Sequence, residues 1–260
     1  MKATATPSPI ADQDVGANWR RPPAELVLGL AEVHVWLVRL DRLQPAQEQL
    51  RAVLSADEQA QAGRFRFEPD RQRYCAGRYA LRTILGRYLA LEPGRLAFSY
   101  TAYGRPLLAA TYAGSGLRFS LSHSQGLFLL GVTRWREIGL DVEFLRRLPD
   151  AEKIAGRFFA AGERAALGRL PAADREEAFF RLWTCKEAYI KALGSGLFQP
   201  LDEFEVAFIP GQPTCRLDVA GKPAESRRWR LAAWQPLPGY VAALAVEGQE
   251  WRLRSFLFEG

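Results

Sequence analysis

The order of the apolar patterns constrains this chain more than any other feature. Two series of strand and helix signals lie either side of the polar tetrapeptide Arg134 to Glu137. In the first, Val33 to Leu40 alternates as a strand, and Ser55-Ala56-Asp57-Glu58 is a capping box, in which a hydroxyl and a carboxylate satisfy free amides of a helix's first turn. A long helix is predicted over 70–91, closed by Glu92-Pro93-Gly94, with short strands over 96–100, 106–109, 117–121 and 127–133. The second series begins with a strand over 138–144, continues with helices between 151 and 193, and ends in strands through Phe258. The repetition predicts an α+β fold of two similar halves with a cleft between them. Residues 1–24, rich in Pro, Ala and polar residues, read as a loose N-terminal arm; 25–136 form an N-terminal lobe and 137–260 a C-terminal lobe.

Composition narrows the chemistry. The apolar runs are shorter than the roughly 18 residues a membrane span requires, and the N-terminus has no basic-then-apolar signal pattern, so a cytoplasmic enzyme with no membrane partner is the expectation. Three widely separated cysteines, Cys75, Cys185 and Cys215, fit neither a disulfide framework nor a CxxC metal site. With only His34 and His123 present, any metal is expected to be a hard cation on carboxylates. The net charge of +6 suits an anionic ligand or partner, nucleic acid among them.

Three segments carry the candidate chemistry. In IGLDVEFL, Asp141 and Glu143 are two apart on a predicted strand and project from one face, with Val142 on the other. Two carboxylates so placed are either solvated acids or ligands of a cation, and oxygen donors with spare water positions suit Mg²⁺. AFFRLWTCKEAYIKALGSGL is a long helix closed by Gly194, with Trp183, Glu187 and Lys191 at i, i+4 and i+8 on one face. Lys186 falls between Leu182 and Ile190 on the apolar side, where it either snorkels outward or reaches an anion in a cleft. FSLSHSQG crowds Ser120, Ser122, Ser124 and His123 at a strand end, which suits phosphate or a capped turn.

In this order and at these separations the segments resemble the Sfp-type 4′-phosphopantetheinyl transferases, the pseudodimeric class of that superfamily. IGLDVE matches the family's G-(I/L/V)-D-(I/V)-E signature, LWTCKEAYIKALGSGL its W-(S/T/C)-x-K-E-(A/S)-x-x-K-x-x-G-x-G-L signature, and SLSHS its histidine motif. With RFRFEPDRQRYCAGRYALR and the turn YGRP, the similarity covers about Arg64 to Leu201. The resemblance implies a two-lobe fold, each lobe a small sheet packed with helices, with the active site in the cleft between lobes. It implies transfer of phosphopantetheine from coenzyme A to a serine of an apo acyl or peptidyl carrier protein, with Mg²⁺ as cofactor and a monomer as the working unit. Asp141, Glu143 and Glu187 look like the metal ligands, Glu187 also the base, and Lys191 and Lys186 supports for the pyrophosphate. Arg73 and His123 look like ligands of the 3′-phosphate, with Ser122 and Arg64 assisting, and Gly104, Arg105 and Pro106 border the adenine. Glu163 stands where the family often places a further acid near the metal. The chain departs from the family in DEQAQAGRF, which has no lysine, and in having Arg at position 105 where Lys is common.

Paired acids, lysines and a histidine serve a magnesium-dependent phosphodiester hydrolase equally well. A non-catalytic module binding coenzyme A or nucleic acid also accommodates them. The chain lacks RNA-binding aromatic motifs, and no nucleic-acid partner is expected.

Overall fold

The computed structural model describes residues 18–102, 104–194, 200–208 and 214–260. The first lobe is a four-stranded sheet carrying one long helix. Strand β1 (Glu32–Arg39) is apolar on both faces, as a strand covered on two sides must be. It is followed by the short helices α1 (Gln47–Val53) and α2 (Ala56–Ala62), the 22-residue helix α3 (Glu68–Leu89), and the hairpin β2 (Phe98–Tyr100) and β3 (Pro106–Leu108). Strands β4 (Leu117–Ser124) and β5 (Leu127–Arg134) complete this series. The capping box starts α2, with Glu58 accepting the Ser55 amide at 3.0 Å. Glu58 is itself buried and paired with Arg78 and Arg82 of α3, so one carboxylate starts α2 and fastens it to α3.

The second lobe opens with β6 (Ile138–Phe144), then α4 (Ala151–Phe158), α5 (Ala161–Arg169) and the 22-residue α6 (Ala172–Leu193). It continues with β7 (Phe204–Phe208), β8 (Thr214–Val219), the short α7 (Pro223–Arg228), β9 (Trp229–Trp234) and β10 (Tyr240–Glu247), and the chain closes with β11 (Arg252–Phe258). The second sheet has the order β6-β10-β9-β8-β7, and the first β11-β1-β5-β4. The last strand therefore lies in the first lobe, in parallel register with β1 (Val33 opposite Leu253), and not in the lobe predicted over 137–260. The arm predicted loose to residue 24 is anchored from Trp19: its indole donates to Pro236 O at 2.9 Å, and Arg20 bridges to β11. Residues 1–17 lie outside the described part of the arm.

Three apolar clusters explain the layering. Trp36, Val38, Leu130 and Val132 pack with Ile84 and Leu85 of α3. Phe179, Leu182, Tyr189 and Ile190 of α6 pack on Leu231, Val241 and Ala243. Between the sheets, the alternate residues Val33, Val35, Leu37 and Leu129 meet Ile138, Leu140, Val142 and Leu244. The order is helix, sheet, sheet, helix, with the sheets joined by a shared core in which each fully buried Leu or Val contributes roughly 1.5–3 kcal/mol.

Two glycines permit the close contacts. A Cβ at Gly131 would stand 2.8 Å from Ile138 Cδ1 across the sheet interface, and one at Gly139 would stand 1.8 Å from Ala188 O and 2.4 Å from Ala192 N. The backbone of α6 thus lies directly on β6. Among the described residues no helix is long and apolar enough to cross a membrane.

Candidate active site

Because Ile138, Leu140 and Val142 face the sheet interface, the intervening Gly139, Asp141 and Glu143 face α6. α6 presents Trp183, Glu187 and Lys191 at four-residue steps along the same side. The result is a cavity of about 390 Å³ lined by Asp141, Glu143, Phe158, Trp183, Glu187, Pro200 and Leu201. It brings the three predicted metal-ligand candidates together.

The carboxylates are crowded and incompletely satisfied. Lys191 Nζ donates to Asp141 Oδ1 at 2.7 Å and to Ser122 Oγ at 3.1 Å, and Ser122 Oγ donates to Asp141 Oδ1 at 2.9 Å. Among the described residues, Asp141 Oδ2 and Glu187 Oε1 are buried with no hydrogen-bond partner. Burial, then the negative charge of Asp141, pushes the Glu187 carboxyl up to about 7, against the pull of Lys191. Glu143 is held at Oε2 by Ser124 Oγ and by Arg146 Nη1, each at 3.2 Å. Among the described residues no group of three or more His, Cys, Asp or Glu side chains is placed, as it stands, to hold a metal ion.

His123 lies on the other side of β4. Leu117 and Phe119 turn toward α3, so His123, in step with them, does too, while Ser120, Ser122 and Ser124 turn toward β6. Its imidazole is held below its ordinary value, first by desolvation and then by the charge of Lys191. Arg73, on α3, is paired with Asp41 at 3.1 Å and Asp70 at 3.6 Å. Asp41 packs against Gly126 in the turn after β4.

Several sequence expectations change here. Lys186 neither snorkels nor reaches an anion in the cleft: it is 0% exposed, its Nζ donating to Glu163 Oε1 at 2.7 Å and to Phe204 O at 2.6 Å. Glu163, expected near the metal, also accepts the amides of Val206 at 2.7 Å and Ala160 at 2.9 Å, which fixes it in this pair. Burial pulls both groups toward neutrality, raising Glu163 and lowering Lys186. The pair ties α5, α6 and β7 behind the site. Lys186→Met alone leaves Glu163 buried and unpaired and is expected to lower stability by about 3–5 kcal/mol. Adding Glu163→Leu should recover most of that loss in urea denaturation.

Ser122, predicted to assist at the 3′-phosphate, has its hydroxyl on Asp141 instead. Arg105, expected beside the adenine, turns inward: its guanidinium donates to Lys191 O, to Phe119 O at 3.3 Å and to Ile138 O at 3.4 Å. The Gly104 to Pro106 turn is formed, with Gly104 at φ +76° and its amide on Thr101 O, while Tyr103 lies outside the described residues. Among the described residues Arg64 bonds through its side chain to Gln61, at 3.4 Å, and it does not line the cavity. Sequence reading overlooked Gly139; its place one turn of the pleat before Asp141, on the α6 face, was the available signal.

Two lobes meeting beside a carboxylate and lysine centre define a two-lobed α+β protein with an acid-and-lysine site. Models of known families divide the chain in the same way: the 4′-phosphopantetheinyl transferase superfamily model matches residues 137–245, and the 4′-phosphopantetheinyl transferase N-terminal model matches 42–133. The chain is 45% identical over 235 residues to the 4′-phosphopantetheinyl transferase HetI of Nostoc sp., covering 90% of this chain and 96% of that protein. It is 28% identical over 204 residues to the 4′-phosphopantetheinyl transferase Sfp of Bacillus subtilis, covering 78% and 86%. This chain belongs to the 4′-phosphopantetheinyl transferase superfamily.

Proposed function

We propose that the chain moves phosphopantetheine from coenzyme A to a serine of an apo carrier protein and releases 3′,5′-ADP. The observation that carries this reading is the convergence of Asp141, Glu143 and Glu187 on one cavity, with Lys191 bonded to Asp141 and, among the described residues, two of the carboxylate oxygens buried without partners. An all-oxygen donor set with repelling charges fits a hard divalent cation such as Mg²⁺, and Asp141, Glu143 and Glu187 would hold it. When bound, the cation neutralises pyrophosphate charge.

The chain's own groups account for the rest. Lys191 Nζ, now on Asp141 Oδ1, lies where it can turn to a phosphate oxygen and offset charge on the leaving side. Glu187 takes the proton of the carrier serine, whose Oγ bonds to the phosphorus bearing the pantetheine arm as the bond to 3′,5′-ADP breaks. Phe158 and Trp183, edge to face at 5.9 Å, form an apolar wall of the cavity beside the acids. His123 and Arg73, both on the α3 side, are the groups we assign to the 3′-phosphate. One chain supplies every one of these residues, and the working unit we assign is the monomer.

Incubation of apo carrier protein with coenzyme A and Mg²⁺, followed by mass spectrometry, should place phosphopantetheine on one serine. Cleavage of coenzyme A at the same rate without carrier would mark a hydrolase instead. The charge of +6 opposes the acidic surface expected of a carrier. Leu148 and Phe158, both half-buried, are the residues we assign to the apolar part of docking, whereas the adjacent Phe159 is core, stacked on Phe179 at 5.2 Å. Raising salt from low to physiological strength should raise the KM for carrier several-fold and the KM for coenzyme A less. Equal shifts would remove electrostatic docking.

A further inference from the structure

β4 and β6 are facing edge strands of different sheets. β4 takes its backbone bonds from β5, and β6 from β10. Between them runs a row of serine hydroxyls. The Leu140 amide donates to Ser120 Oγ at 3.0 Å, and the Phe144 amide to Ser124 Oγ at 3.0 Å. Midway, Ser122 Oγ donates to Asp141 Oδ1. The offset between paired residues is 20 at both amide bonds, so the strands run in one direction in fixed register.

The alternation of β4 explains why serine is used. A long aliphatic or aromatic residue on that face would fill the gap between the strands, whereas a serine hydroxyl reaches across it and serves an edge amide that has no ladder partner. Ser124 has a second bond: the same Oγ that accepts the Phe144 amide donates to Glu143 Oε2 at 3.2 Å. Arg146, the other partner of that oxygen, is an exposed side chain three residues along, and is the weaker constraint.

We propose that Ser120 and Ser124 are positioning residues that lock the register of the two lobes, and that Ser124 sets the Glu143 carboxylate in the cavity. This rests on the transferase reading for its catalytic consequence but not for the seam itself. Neither serine touches the reacting atoms. Both act through β6, and their own strand, β4, displays His123 on its opposite face.

The test compares Ser120→Ala, Ser124→Ala, the double variant and Ser124→Thr, which keeps the hydroxyl. Hydrogen exchange on the metal-free protein reads the seam directly. The Leu140 and Phe144 amides should exchange about tenfold faster in the respective alanine variants, as loss of one hydrogen bond predicts. Calorimetric Mg²⁺ affinity should fall about tenfold in Ser124→Ala, kcat should fall to a similar degree, and the KM for coenzyme A should stay within twofold. Ser124→Thr should restore affinity and kcat to within twofold of wild type. Unchanged exchange at both amides in the double variant overturns the seam. Faster exchange with unaltered Mg²⁺ affinity in Ser124→Ala overturns the positioning of Glu143. If wild type transfers nothing, the transferase reading fails, and exchange and calorimetry still decide the seam.

Discussion

Glu187→Gln is expected to raise the melting temperature of the chelated protein at pH 8 while lowering transfer by about 100- to 1,000-fold. The Glu187 carboxyl is pushed up to about 7 in the folded chain, against an ordinary 4.5. The folded state therefore binds the proton more tightly than the unfolded one. Its stability advantage is complete below pH 4.5, declines as pH rises to about 7, and is absent above that. The difference corresponds to about 3 kcal/mol at pH 8. Glutamine carries no charge to bury, so wild type and variant should converge near pH 4 and separate above pH 7. Transfer by the same variant, and by Asp141→Asn, should collapse because each removes an anionic oxygen from the cavity. Near-wild-type turnover by either at saturating Mg²⁺ would remove the assigned centre.

Gly139→Ala is expected to cut kcat by about 100-fold, with a fall in melting temperature, although residue 139 contacts no substrate in the proposed reaction. The added methyl would meet the carbonyl of Ala188 and the amide of Ala192, which are backbone and cannot rotate away. α6 must lift from β6, and with it Glu187 and Lys191. Overpacking of this kind costs about 1–3 kcal/mol of stability, and a displacement of about 1 Å at the reacting groups costs about 100-fold in rate. Gly156→Ala is the control: it lies in α4 with no other described residue within 4 Å of the added Cβ, its chain neighbours and own helix backbone aside, and should be neutral or slightly stabilising. Equal activity in both variants would show that the contact does not govern the site.

The sequence made the centre legible because its geometry is local. Period two on β6 places Asp141 and Glu143 together, and period four on α6 aligns Glu187 with Lys191, as the cavity requires. What it could not disclose depends on partners far along the chain. Lys186 reads correctly as facing the apolar side, but its partner Glu163 is 23 residues away on another helix. The charge of Arg105 suggests a ligand, yet it is taken up by three backbone carbonyls from three elements, and no pattern marks a carbonyl. The serines of β4 show which residues share a face, not which strand that face meets. α1 leaves no mark in the sequence pattern because its seven residues have no fully buried position and so no apolar period.

The placement of β11 has a consequence for biosynthesis. Synthesis runs from the N-terminus, and domains usually fold as they emerge. Here β1 waits, because its parallel neighbour, Val33 opposite Leu253, follows the whole of the second lobe in the chain. The first lobe can close its sheet only after the second has been translated. A ribosome stalled beyond α6 would therefore hold a chain with every catalytic group present and one edge of β1 open. Cutting the gene at the polar linker should yield a first half that aggregates through that edge, and adding a peptide of the β11 sequence should rescue it.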